Sequence, residues 1–439
     1  MINTLIYPME TSQNSAGHLV VDGCDVVDLA THLGTPLVIY HEKSIRDICQ
    51  RYVNALAAHT DDFEVIYASK AFFSLAISEL VLEEGLSIDV CSGGEYHVAK
   101  MAGFSAGRIF FHGNSKTRSE LEYALLGGVG FVVVDNFQEL DLLEELLASS
   151  DKRQKILLRI APGVEAHTHS FIQTGQVDSK FGFTMASGVA LEAIKHALQA
   201  PHLDLVGLHA HIGSQIFDLE GYSKAIETFA ELMAKAHRDL AFECRYLNLG
   251  GGLGVSYTQE DTPTAIEEYA AVLVGGVREE MAAHGLSMPR ILIEPGRSLV
   301  ANAGMTAYTV GTIKEIPGIR TYVSVDGGMS DNIRPMMYEA RYEAILANKV
   351  GQPADTLVTV AGKHCESGDI LIKDVAIASP EPGDILVIPS TGAYCYSMSS
   401  NYNGNLRPAV AMINGKRARI IIERESYSDL VSRFRSIRD

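Results

Sequence analysis

Between residues 60 and 300 the chain repeats one theme: a short apolar run, a turn, then a longer stretch with apolar residues at helical spacing. The runs are Phe63 to Ala68, Ser87 to Cys91, Arg108 to His112, Phe131 to Asp135, Ile156 to Ile160, Leu203 to His211, Tyr246 to Gly250 and Ile291 to Glu294. Strands that are apolar along their length are covered on both faces, as in a parallel sheet wrapped by helices. Phe137 to Leu147 and Tyr222 to Ala236 carry the spacing of such helices. Eight units in about 240 residues match a (β/α)8 TIM barrel in number and length. A doubly wound open sheet is the alternative, but it usually has fewer strands.

After Ala303 the pattern changes. Ala307 to Val310, Thr321 to Val325, Thr356 to Val360, Ile370 to Ile372, Ile385 to Ile388 and Arg417 to Ile422 are β-like, punctuated by Gly and Pro, with no long helical stretches between them. Leu19 to Val21 and Pro36 to Tyr40 are strand-like as well. The fold expected is therefore α/β plus β: a barrel over 46–302, and a mostly antiparallel β-barrel or sandwich domain in which 1–45 joins 303–439.

Composition narrows the class of protein. Apolar residues at 47% and charged residues at 21% describe a globular chain. A net charge of −18 argues against nucleic acid, whose phosphates need a basic face. No apolar run reaches the roughly 18 residues of a spanning helix, and Met1 to Gly17 lacks the pattern of a signal peptide. Cys24, Cys49, Cys91, Cys244, Cys365 and Cys395 are scattered without a C-x-x-C pair, which fits reduced thiols in a cytoplasm.

A barrel carries its active site at the C-terminal ends of its strands. Chemically capable residues recur there: Lys70, Ser92-Gly93-Gly94-Glu95, Gly113-Asn114-Ser115, Asp135-Asn136, Arg159, His209 to Ser214, Gly250-Gly251-Gly252 and Glu294-Pro295-Gly296-Arg297. The last two groups lie where barrels bind phosphate, and Arg297 adds a bidentate cation. Three glycines alone read equally well as a tight turn, and Val255 breaks the G-x-G-x-x-G pattern of a dinucleotide site. A lysine at a strand end is most often solvated. Beside a phosphate pocket, a desolvated one can bond covalently to an aldehyde. Glu294 reads either as an ion-pair partner or as the carboxylate that keeps a pyridine nitrogen protonated; His211 reads as a core histidine or a ring-stacking one. His209 and His211 share a strand face, so a metal site is a further reading. It is disfavoured, because barrel hydrolases place such a pair on the first strand. His167-Thr168-His169 is a second such pair, in a loop.

Beyond these readings, the chain resembles the fold-type III decarboxylases that use pyridoxal 5'-phosphate (PLP) and, among them, the diaminopimelate decarboxylases. The motifs are Y-A-S-K-A at Lys70, D-V-C-S-G-G-E at 89–95, H-T-H-S-F-I-Q-T-G at 167–175, D-S-K-F-G at 178–182 and H-I-G-S-Q at 211–215. They continue with G-G-G-L-G at 250–254, E-P-G-R at 294–297, V-D-G-G-M-S-D-N-I-R-P at 325–335, C-E-S-G-D at 365–369 and G-A-Y-C-Y-S-M-S-S-N-Y-N at 392–403. The resemblance implies that Lys70 holds PLP covalently, with His211 against its ring and Glu294 at its nitrogen. It implies Ser214, Gly251, Gly252, Gly296, Arg297 and Tyr394 around the phosphate, and Arg297, Arg334, Tyr338, Glu366 and Tyr394 at the substrate. Cys365 becomes the proton donor, entering a partner's barrel with Glu366 across a homodimer. The reaction implied is decarboxylation of meso-2,6-diaminopimelate to L-lysine.

Enzymes acting on ornithine, arginine or carboxynorspermidine share the barrel motifs. Diaminopimelate, however, ends distally in a carboxylate and an ammonium, which Arg334 (with Arg297) and Glu366 complement. Phe72-Phe73, Ser298 and Met337 depart from the commonest family pattern without replacing a contact residue. An alanine racemase would place arginine where Glu294 stands. A non-catalytic PLP-binding relative could dispense with Lys70 and Cys365, yet both are present.

Overall fold

The computed structural model describes residues 5–164 and 179–438. They form two compact units: Arg46–Gly254 with Pro263–Ser298, and Met1–Ile45 with Val255–Thr262 and Leu299–Asp439.

The first unit is a closed parallel barrel. Its strands are β1 (Phe63–Ala68), β2 (Ser87–Val90), β3 (Ile109–Phe111), β4 (Phe131–Val134), β5 (Gln154–Ala161), β6 (Leu203–His209), β7 (Tyr246–Asn248) and β8 (Arg290–Ile293). Each pairs with the next, and β8 returns to β1 with Ile291 opposite Phe63. A short strand, Phe183–Thr184, adds beside β5. Helices start where side chains cap their free N–H groups: Ser92 accepts from the Glu95 amide, and Asn136 from that of Glu139.

Ile66, Phe110, Phe131, Val133, Leu157, Val206 and Leu292 pack together as a buried barrel core. Phe110 and Phe131 stack with centroids 4.4 Å apart. Each such side chain contributes roughly 1.5–3 kcal/mol by leaving water. Gly207 allows β6 and β7 to approach: a Cβ there would lie 1.9 Å from the Tyr246 carbonyl oxygen.

Several strands end one or two residues before the predicted apolar runs do. β2 stops at Val90, β3 at Phe111, β6 at His209, β7 at Asn248 and β8 at Ile293. The backbone beyond is claimed by other partners, as when the Cys91 N–H donates to Glu95 Oε2 at 2.6 Å. The residues that leave the ladder are those that line the mouth.

The second unit is built on a nine-stranded mixed sheet. Its main path runs Ile370–Ile377, Thr356–Ala361, Arg320–Val325, Gly304–Ile316, Leu37–His41, Ala409–Asn414 and Arg417–Ile422. Most pairings are antiparallel, but Arg320–Val325 with Thr356–Ala361, and Leu37–His41 with Ala409–Asn414, run parallel. Leu37–His41 thus sits within this sheet, and Leu19, Val21, Leu37, Ile39, Met305 and Val387 share its core. No described helix is long and apolar enough to cross a membrane. All six cysteines are free thiols.

Candidate active site

The mouth of the barrel gathers side chains from β3, β6 and β7 around Glu294, the first residue past β8. Asn248, closing β7, donates from Nδ2 to Glu294 Oε1 at 2.7 Å. His209, closing β6, donates from Nε2 to Oε2 at 3.0 Å. His112, just past β3, brings Nε2 to 2.8 Å from Oε1, at an angle too poor for a full hydrogen bond. Burial alone would push the Glu294 carboxyl up, but the imidazoles of His112 and His209 hold it well below the usual carboxylate range. Burial lowers His209 to about 4, so its ring is a neutral donor at pH 7. The result is a buried, ionised carboxylate. Ligand atoms of His112, His209 and Glu294 lie within 4.8 Å of one another, but Asn248 turns an N–H, not a lone pair, to the same carboxylate. The donors are arranged to hold an anion.

Lys70 follows β1 on the short turn Ser69–Ala71. It is exposed, so the expectation of a desolvated lysine is not met. Its charge still reaches the site. Burial raises Asp89 and Cys91, and Lys70 opposes both shifts. Burial lowers His211 well below an ordinary histidine, and Lys70 lowers it further. His211 lies past the end of β6, outside the cluster of His112, His209 and Glu294.

The turns after β7 and β8 interlock. The Glu294 amide donates to the Gly250 carbonyl at 2.7 Å. A Cβ on Gly251 would sit 2.0 Å from the Glu294 carbonyl oxygen, and one on Gly252 would sit 2.4 Å from that of Gly213. Gly250 and Gly252 have φ of +68° and +117°, open to glycine. Gly296 packs against Ala68, bringing the β8 turn to the end of the strand that leads to Lys70. Arg297 is buried and donates from Nη2 to Ser214 Oγ at 2.8 Å. Glycine backbone, a buried guanidinium, an amine and an ionised carboxylate fit a cofactor with a phosphate, an aldehyde and a basic ring nitrogen.

In the second unit, Arg334 is buried against aromatic rings. Its guanidinium carbon lies 4.6 Å from the Tyr257 centroid and 5.6 Å from that of Tyr342, whose hydroxyl it also contacts. Burial alone would lower this arginine, but Tyr257, Tyr342 and Cys395 raise it above the ordinary value. Arg334 pairs with no carboxylate among the described residues. Tyr338 is half-buried on the same short helix, Arg334–Tyr338. Tyr394 is half-buried and holds φ of +60°, uncommon for an aromatic residue. Cys365 and Glu366 are exposed on the connection between Thr356–Ala361 and Ile370–Ile377.

Sequence reasoning passed over His112 and Asn248. Neither lies in a motif, and both join the site only because barrel closure brings β3, β7 and β8 together. The segment H-T-H-S-F-I-Q-T-G, with His167 and His169, lies outside the described residues.

A lysine, a shielded carboxylate and glycine-lined turns at the mouth of a parallel barrel define the pyridoxal-dependent decarboxylases, and the sequence model of their pyridoxal-binding domain matches residues 42–301. The chain belongs to that family and, within it, to the diaminopimelate decarboxylases. It is 48% identical over 419 residues to diaminopimelate decarboxylase of Bacillus subtilis, covering 95% of each chain. It is 49% identical over 418 residues to that of Halalkalibacterium halodurans, again covering 95% of each. The crystal structure of diaminopimelate decarboxylase from M. jannaschii in complex with L-lysine superposes with a TM-score of 0.91 at 34% identity, covering 98% of both chains.

Proposed function

We propose that this chain decarboxylates meso-2,6-diaminopimelate to L-lysine and CO2 with PLP, the last step of lysine biosynthesis, as a cytoplasmic homodimer. The observation that carries the substrate assignment is Arg334: a buried guanidinium among aromatic rings with no carboxylate partner among the described residues. Such a cation is stabilised when a ligand carboxylate pairs with it, and truncating such a pair costs roughly 2–5 kcal/mol. Diaminopimelate carries a distal carboxylate; ornithine does not.

When bound, PLP supplies an electron sink for the pair left behind as CO2 departs. Glu294, held ionised by its neighbours, would hold a proton on the ring nitrogen. Lys70 would be the amine that holds the cofactor. His211 would lie against the ring. Ser214, Gly251, Gly252, Gly296, Arg297 and Tyr394 would hold the phosphate. Arg297 also joins Arg334, Tyr338, Tyr394 and Glu366 in orienting substrate. Cys365 holds the proton on Sγ that passes to the substrate α-carbon, and solvent replaces it. Cys365 and Glu366 act from the partner subunit, on the division into a barrel of 46–302 and a β domain of 1–45 with 303–439.

Purified protein loaded with PLP should release lysine from meso-diaminopimelate with kcat/KM at least about 10⁴-fold above that for L-ornithine. Comparable turnover of ornithine would move the assignment to another diamino acid.

A further inference from the structure

The C-E-S-G-D motif ends in an aspartate that no role above absorbs. We infer that Asp369 and His364 are positioning residues that lock the loop carrying Cys365 and Glu366 onto the turn leading to Arg334. The inference rests on the reading of Cys365 as proton donor.

Asp369 is buried, and its carboxylate is shared between two loops. Oδ2 accepts from the His364 backbone N–H and from His364 Nδ1, both at 2.9 Å. Oδ1 accepts from the Met329 N–H at 2.7 Å. The main chain closes the same loop: the Asp369 N–H donates to the Glu366 carbonyl at 3.1 Å, and the Gly362 N–H donates to the Asp369 carbonyl at 2.9 Å. Two glycines make room. A Cβ on Gly362 would lie 2.1 Å from Asp369 Oδ2, and one on Gly328 would lie 2.6 Å from Oδ1 and 2.7 Å from His364 Nδ1.

The second loop runs on to the arginine. Asp331 and Asn332 donate their N–H groups to the Gly328 carbonyl, and Asn332 Oδ1 accepts from the Arg334 N–H at 3.3 Å. On the other flank, the Cys365 N–H donates to Asn403 Oδ1 at 2.9 Å, and the His364 ring stacks on Tyr402 at 5.9 Å. Cys365 and Glu366 themselves are exposed. What fixes them is the buried pair beneath. A lateral shift of about 1 Å at a reacting group costs up to about 10²-fold in rate, so a loop anchored this way sets kcat more than substrate affinity.

The test compares the PLP-loaded wild type with His364→Leu, His364→Asn and Asn403→Ala on meso-diaminopimelate, measuring kcat, KM, cofactor absorbance and melting temperature. Leucine fills the buried site and keeps the backbone N–H to Asp369 but removes the side-chain donor, so kcat should fall about 10- to 100-fold with KM changed less than about twofold. Asparagine can donate from Nδ2 where the ring donated from Nδ1, and should restore kcat to within about threefold of wild type. Asn403→Ala, on the exposed flank, should give a milder split of the same kind. Leucine at wild-type kcat, or asparagine as impaired as leucine, overturns the inference. If His364→Leu loses cofactor and fold together, Asn403→Ala decides, and wild-type kcat there overturns it. A wild type idle on meso-diaminopimelate refutes the substrate reading instead, which keeps the two failures distinct.

Discussion

His209 Nε2 donates to Glu294 Oε2 across 3.0 Å of buried barrel mouth, joining residues 85 positions apart. The ring is neutral because burial takes it to about 4, from an ordinary 6.5. Between those values the unfolded chain binds a proton that the folded chain refuses, so acid favours unfolding there. His209→Gln keeps a donor for Glu294 but removes that proton uptake. Melting temperature followed from pH 7 to pH 4 should therefore fall more steeply in wild type than in the variant, with the gap opening below about 6.5 and levelling near 4. Parallel curves would exclude this role for His209.

A second buried charge follows β3. Lys116 Nζ donates to the Gly113 and Val133 carbonyls at 2.8 and 2.7 Å and to Glu139 Oε1 at 2.5 Å. Lys116→Met strands the Glu139 carboxylate and should cost roughly 3–5 kcal/mol in urea unfolding, whereas the double change Lys116→Met with Glu139→Leu should recover most of it. Equal losses in the two variants would mean that packing, not charge, holds this corner.

Glycine substitutions separate cradle from helix. Gly251→Ala forces a Cβ to within 2.0 Å of the Glu294 carbonyl and should cost about 1–3 kcal/mol, with PLP affinity reduced at least about tenfold. Gly275, in the helix Ile266–His284, has nothing within 4 Å of its added Cβ. Gly275→Ala should raise stability by up to about 1 kcal/mol with no change in PLP affinity. Cofactor titration by absorbance, with thermal melts, checks both.

Arg334→Leu removes the cation proposed for the distal carboxylate. The kcat/KM for meso-diaminopimelate should fall by the equivalent of roughly 2–5 kcal/mol, while PLP binding stays near wild type. An unchanged kcat/KM would take the distal carboxylate away from this residue.

Much of the fold was legible because apolar runs and helical spacing are local signals. All eight barrel strands stand where the runs predicted them, and β1 and the helix Phe137–Leu147 match residue for residue. Strand ends were not legible, since Cys91, His112 and Glu294 continue the apolar or β-like run, while the Cys91 N–H turns to Glu95 Oε2 and those of His112 and Glu294 reach the Val90 and Gly250 carbonyls at the ends of neighbouring strands. Parallel pairing of Leu37–His41 with Ala409–Asn414 spans most of the chain and leaves no local trace. In the site, Lys70, the glycine turns and Glu294 stood out because each is unusual at a strand end. His112 and Asn248 did not, for their importance lies in what barrel closure sets beside them. Lys70 was read as desolvated, yet it is exposed past the end of β1, because exposure at a strand end is set by what the fold packs around it and not by local sequence.

The central claim is that Lys70 carries the cofactor. Protein incubated with PLP, reduced with borohydride, digested and mapped by mass spectrometry should bear the reduced cofactor on the peptide containing Lys70, and the Lys70→Ala variant should bear none there. A Lys70 peptide that stays unlabelled in the wild type, or a label carried by another lysine, would contradict the account.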